Sequence, residues 1–256
     1  ARQRIADQLG ASPAQVVCTS GGTESDNAAI KGVAFAAEKG HIVTSIIEHP
    51  AVMQSVSWLA KKGFDATYIP VGRDGVVDPD EIKKAIRPDT ILVSIMHVNN
   101  ETGNIQPVED ISAITKEAEV LFHTDAVQSF GKLPTKVDDL GVDLLSIAAH
   151  KIYGPKGVGA LYIRKGTRID PLIIGGAQEK RRRSGTENIS GIVGFGEAAV
   201  LAEAEREEVH ARLKVLHSKL VDGLSSIPEL IINGDQERAF PSTVSASVSH
   251  VEGESL

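Results

Sequence analysis

Five short stretches set polar or charged residues directly after an apolar run. Ser20-Gly21-Gly22-Thr23 follows VVCT, Glu48-His49-Pro50 follows HIVTSI, and Asn99-Asn100 closes TILVSIMHV. Thr124-Asp125-Ala126-Val127-Gln128 follows VLFH, and His150-Lys151 follows LLSIAA. Each has an ordinary structural use. A glycine-rich turn caps a helix, adjacent asparagines make a turn, a histidine or aspartate caps a helix start, and a lysine at a buried strand end snorkels to water. Together they offer an anion cradle, a histidine, an amide, a carboxylate and a primary amine. A pyridoxal phosphate site needs this set: a lysine for the aldehyde, a carboxylate for the pyridine nitrogen, and a helix N-terminus for the phosphate. The stretch after Ser20 is not a P-loop, because no Gly-Lys-Ser/Thr follows. A nucleotide-binding domain would explain that turn but not Asp125 with His150-Lys151.

The elements that must position these residues alternate. Strand patterns fall at 16–19, 41–46, within ATYIP, at 90–98, and within VLFHTDA, DLLSIAA and GVGALYI. Helical patterns fall at 26–39, from Pro50 to near Gly63, after a capping-box-like Asp78 and Glu81, and at 107–119. The run 90–98 is almost wholly apolar, as in strands buried on both faces. Alternation predicts βαβ units, an α/β fold with a mostly parallel sheet flanked by helices, and ligands outside the carboxyl ends of the strands. A charge-rich helix is predicted over 197–224. It divides a large domain, residues 1–207, from the start of a small α+β domain, residues 208–256.

Composition bounds the function. The 256 residues carry 41% hydrophobic and 24% charged residues and a net charge of −7, which argues against nonspecific nucleic-acid binding. The local exception is Lys180 to Arg183, either a solvated loop or an anion or subunit contact. One cysteine, Cys18, excludes a disulfide framework and a multi-cysteine metal site, so no metal is expected and a reducing, cytoplasmic setting is. No apolar stretch is long enough to span a bilayer. The chain opens on a helical pattern and ends on VEGESL, so both ends are expected to continue into a longer protein.

The segments TSGGTESDNAAIKG, EHPAV, ILVSIMHVNNETGNIQPV, FHTDAVQSFGKLP, AHKIYGPKGVGALYIRKG and RRRSGTENI, in this order, resemble the NifS/IscS-type cysteine desulfurases. These belong to the class V aminotransferase group of fold type I pyridoxal-phosphate enzymes. The resemblance implies conversion of L-cysteine to L-alanine, with sulfur passed as an enzyme persulfide to acceptors such as iron–sulfur scaffolds. It implies that Lys151 forms the Schiff base, Asp125 pairs with the pyridine nitrogen, and His49 stacks on the ring and moves protons. Gln128 and Asn100 lie near the ring hydroxyl, and Gly22, Thr23 and His150 cradle the phosphate. Thr186 reaches the phosphate of the other protomer, implying a homodimer.

Two departures accompany the resemblance. Ala148 stands where the family has a serine, removing one phosphate hydrogen bond worth about 1.5–3 kcal/mol. The persulfide-forming cysteine and a carboxylate-binding arginine are expected downstream of residue 256, and Cys18 is not that cysteine. A selenocysteine lyase, a cysteine lyase, an aminotransferase or a non-catalytic scaffold of the same fold would share Lys151 and Asp125.

Overall fold

A computed structural model describes residues 1–250. In chain order the elements are α1 (Arg2–Leu9), β1 (Val16–Thr19), α2 (Gly22–Ala37), β2 (His41–Ser45), α3 (Pro50–Ala60), β3 (Asp65–Ile69), α4 (Pro79–Ala85) and β4 (Thr90–Ser94). They continue as α5 (Val108–Glu117), β5 (Leu121–Asp125), α6 (Val137–Leu140), β6 (Leu144–Ala148), β7 (Gly159–Ile163), α7 (Ile189–Ser225), β8 (Leu230–Ile232) and β9 (Ala246–Val248).

Seven strands form one sheet in the order β1-β7-β6-β5-β4-β2-β3. Strands β3, β2, β4, β5 and β6 pair in parallel, while β7 is antiparallel to both its neighbours. The sheet is therefore mostly parallel, as the alternating pattern predicts. Because β7 reverses, β1 points the same way as β6, and its carboxyl end meets those of the parallel strands.

Successive side chains leave the sheet on opposite faces, and each face is covered. Ile42, Leu92, Leu144 and Leu161 pack under Ile30 and Val33 of α2 and Val52, Val56 and Leu59 of α3. Val43, Val93, Leu145 and Tyr162 pack against Ile5 and Leu9 of α1, Ile111 of α5 and Phe195 of α7. Burial of both faces explains the unbroken apolar runs.

Several elements depart from expectation in their bounds or caps, each for a local reason. The helix predicted from residue 26 starts at Gly22. There the Gly21-Gly22 turn needs no side chain, and Glu24 reaches back to accept the Ser20 N–H at 2.8 Å. The ladder predicted to residue 98 ends at Ser94, because the Met96 N–H goes to the Glu48 carboxylate at 3.0 and 3.1 Å. Asp78 caps α4 by accepting the Asp80 N–H at 2.9 Å, but Glu81 bonds Lys84 at 2.6 Å instead of closing a capping box.

The long helix predicted from residue 197 begins at Ile189, where the Asn188 side chain accepts the Gly191 N–H at 3.1 Å. Its buried residues, Gly191, Phe195, Gly196 and Ala199, all lie in its first third. The division expected after residue 207 falls inside this helix. Beyond it β8 and β9 form a two-stranded antiparallel sheet. A loop returns to the large sheet, where Phe240, 3% exposed, donates its N–H to the Gly103 carbonyl at 2.8 Å. The terminal VEGESL lies outside the described residues.

Candidate active site

At the carboxyl ends of β1, β2, β5 and β6 a cavity of about 260 Å³ opens. Gly22, Thr23, His49, Asn100, Asp125, Gln128, His150 and Lys151 line it, joined by Asp26, Met96, Val98 and Val127. Eight residues singled out in the sequence thus converge on one space. Two do not line it. Ala148 ends β6 and is 1% exposed. Thr186 is exposed and lines a separate recess with Cys18, Glu179 and Arg183.

Each wall has a local cause. The N-terminus of α2 carries no side-chain cap, so its first N–H groups face the cavity edge. It sits tight against the turn after β5, since a Cβ at Gly22 would lie 2.6 Å from Val127 Cγ2. A side chain there would have to push Val127 aside.

His49 precedes α3 and caps it, its Nδ1 accepting the Ala51 N–H at 3.1 Å. That bond fixes the ring and leaves Nε2 as the nitrogen able to hold or move a proton. Behind it Glu48 is buried, accepting from Ser45 Oγ at 2.6 Å and from Met96. Burial pushes the Glu48 carboxyl up to about 8 despite those bonds. The Asn99 side chain adds a second tie, donating to the Ile47 carbonyl at 2.9 Å.

Asp125, the last residue of β5, is 6% exposed and accepts the Val127 N–H at 2.9 Å. Burial raises its pKa, while that N–H and the charges of His49 and Lys151 pull it back. Asp26 on α2 lies beneath it. Polar atoms of Asp26, His49 and Asp125 all fall within 4.8 Å of one another. Lys151 sits in a tight turn, Ala149–Ile152, that continues β6. The turn closes on a left-handed Tyr153 and a Gly154 N–H to Ala149 carbonyl bond of 2.9 Å.

The electrostatics divide the cavity. Its floor holds the buried carboxyls Asp26 and Asp125. Its rim holds His150 and Lys151, with Lys132 and Lys156 near enough to act on His150. Burial first, then Lys151, pushes the half-buried Lys132 ammonium down to about 8. Burial, with Lys151, Lys156 and Lys132, also lowers His150. An acidic floor suits a protonated ring nitrogen, and a cationic rim beside bare helix N–H groups suits a phosphate. The donor set fits pyridoxal phosphate.

The class-V aminotransferase family model matches residues 1–256. The chain belongs to the class-V aminotransferase family. Among its relatives in this family, it is 54% identical over its full length to the cysteine desulfurase IscS of Dictyoglomus turgidum (strain DSM 6724 / Z-1310), and 54% identical to that of Methanosarcina thermophila. It spans 66% and 64% of their lengths. A solved structure, a NifS-like protein, superposes with a TM-score of 0.96 at 46% identity, covering 99% of this chain and 70% of that one. The class-V fold thus accounts for the sheet order and for a cavity at the strand ends.

The basic run of 180–183 also finds its place. Arg183 pairs with Glu24 at 2.8 Å, and Arg2 with Glu179 at 2.5 Å, while Lys180 and Arg181 are exposed. The sequence reading missed Asp26 and the structural role of Glu48. Asp26 stands in a polar run, TESDN, that reads as an exposed helix start.

Proposed function

We propose that this protein is a pyridoxal-phosphate-dependent cysteine desulfurase acting on L-cysteine. The observation that carries this reading is the convergence of Lys151, Asp125 and the uncapped α2 N-terminus on one cavity. Likeness to cysteine desulfurases over the whole chain supports it.

Gly22, Thr23 and His150 hold the phosphate, Asp125 the ring nitrogen, and Gln128 and Asn100 the ring hydroxyl and substrate side. Bound there, the cofactor supplies an aldehyde for Lys151 and a ring that withdraws electrons from the substrate Cα. Lys151, fixed by its tight turn, presents its amine from the end of β6. Asp125 supplies the negative charge that keeps the ring nitrogen protonated. His49, held through Nδ1, uses Nε2 to hold or move a proton.

Sulfur passes from the cysteine Cβ to a protein thiol, giving a persulfide, while the thiol proton ends on the carbon skeleton as alanine. That thiol is not Cys18, which is buried in β1. Burial and then Glu179 push its pKa up to about 11, leaving almost no thiolate. Thr186, exposed and away from the cavity, belongs in this reading to the phosphate site of a second protomer in a homodimer. Sulfur acceptors include iron–sulfur scaffolds, residues 1–207 form the cofactor domain and 208–256 begin the small one, and the setting is cytoplasmic. Among the described residues no helix is long and apolar enough to cross a membrane.

Borohydride reduction after incubation with pyridoxal phosphate, followed by peptide mapping, tests the reading. A pyridoxyl adduct on Lys151, with alanine released from cysteine by the full-length protein, is the expected result. Absence of any adduct on Lys151 would sink it.

A further inference from the structure

Asp26 is a buried carboxyl at the site with one oxygen left unpaired. It is 1% exposed, and its Oδ1 has no hydrogen-bond partner among the described residues. Its near neighbour His123 cannot serve as a counter-ion. That ring is fully buried, bonded through Nδ1 to Ser94 Oγ at 2.8 Å and through Nε2 to Ser146 Oγ at 3.0 Å. Its Nε2 lies 3.6 Å from Asp26 Oδ1, and burial holds the imidazole down at about 3, so it stays neutral.

Two buried carboxyls this close cannot both ionise cheaply. The groups facing them decide which one carries the charge. His49 lies within 4.8 Å of both carboxyls, but Asp125 alone accepts the Val127 N–H and has Lys151 nearby. Asp26 faces Asp125 and, more remotely, the buried Glu48, and burial followed by the Asp125 charge raises its pKa well above the carboxylate range. Strands β4 and β6 and helix α3 bring no ionisable side chain, and Cys18 of β1 and Tyr162 of β7 point to the sheet's other face.

We propose that Asp26 is a positioning residue: a neutral carboxyl beneath Asp125 that donates its proton to it and so keeps Asp125 the single charged carboxylate facing the cavity. This deepens the proposed function and rests on it for the identity of the group above Asp125. Asp26 borders the cavity but acts through Asp125. Its loss leaves Asp125 with one donor fewer in a dry site, so Asp125 ionises at a higher pH and holds a protonated ring nitrogen less well at neutral pH.

Two substitutions in the full-length protein separate this from a role in packing. Asp26→Asn keeps a donor at the same reach, and Asp26→Leu keeps the volume without one. The first readout needs no cofactor. An infrared difference spectrum between the wild type and Asp26→Asn at neutral pH is expected to show loss of one protonated-carboxyl carbonyl band. An unchanged band overturns the proposal, because Asp26 is then the ionised partner.

The second readout is pyridoxal phosphate affinity against pH. Asp26→Asn is expected within about threefold of the wild type. Asp26→Leu is expected to bind about 10-fold or more weakly, with its half-affinity pH raised by about one unit. Equal weakening in both variants at every pH also overturns it. A wild type that takes up no pyridoxal phosphate removes the proposed function, while the infrared band still decides the carboxyl pair.

Discussion

Two groups of ionisable side chains flank the start of α2, and they solve the problem of charge differently. On the floor of the cavity and directly behind it, Asp26, Asp125, Glu48 and His123 are almost wholly buried and, among the described residues, have no arginine within salt-bridge reach. They manage by adjusting protons: burial raises the carboxyls and lowers the imidazole. At the outer edge, Arg183 with Glu24 and Arg2 with Glu179 manage by pairing opposite charges. The Arg183 bonds bring the Glu24 carboxyl below its usual value even though burial alone would raise it. The contrast teaches where sensitivity lies. The floor should respond to pH and hardly to salt, and the edge to salt and hardly to pH.

The sharpest break comes from Lys151→Ala, which is expected to abolish the borohydride-trapped adduct and lower alanine release by at least about 10³-fold. Mass mapping and an alanine assay would register both. A smaller loss would show that the amine does not act from the floor's edge at all.

Next is Asp125→Asn. It removes the one charge the floor keeps, so cofactor affinity is expected to fall about 10- to 100-fold, read by absorbance titration. An unchanged affinity would mean that Asp26 carries the charge.

Third is Glu48→Ala, which strips the Met96 N–H and Ser45 hydroxyl of their acceptor and leaves a void. A loss of about 2–4 kcal/mol is expected in urea unfolding.

Glu48 also gives the floor a pH signature. Unfolded, the carboxyl ionises near its ordinary 4.5; folded, near about 8. Between these values the native chain keeps a proton that the unfolded chain has released. The stabilisation is therefore complete below about pH 4.5 and is lost as pH rises through about 8. Unfolding of Glu48→Gln should lack this alkaline decline.

The smallest effect belongs to the edge. Arg183→Ala is expected to cost about 1 kcal/mol or less, and most of that should vanish in molar salt.

What could be read from sequence follows the same division. Lys151, Asp125 and His49 follow apolar runs, and a parallel sheet gathers such positions at one end. Their types and places therefore announce them. Asp26 was hidden because it belongs to a helix whose first turn is polar, and nothing local says that this turn lies under the sheet's end. Glu48 stands beside His49, yet its role depends on Met96, on a strand that becomes its neighbour only through sheet pairing. Even the early stop of β4 has this cause. Thr186 was marked by its motif, but the cavity it would serve is not the one it lines.

The reversed strand β7 has a consequence for the history of the chain. Val16 of β1 pairs with Tyr162 of β7 and, among the described residues, has no other strand beside it. As the chain emerges in order during synthesis, β1 and the glycine turn that follows it must wait for nearly the whole sheet to be made. The parallel strands and α2 can assemble in the meantime, while β1, which leads into the helix end that would hold a phosphate, still lacks its pairing partner. Contacts this distant in sequence are slow to form. A nascent chain interrupted before residue 159 would thus hold β1 unpaired beside a cavity whose other walls are already made.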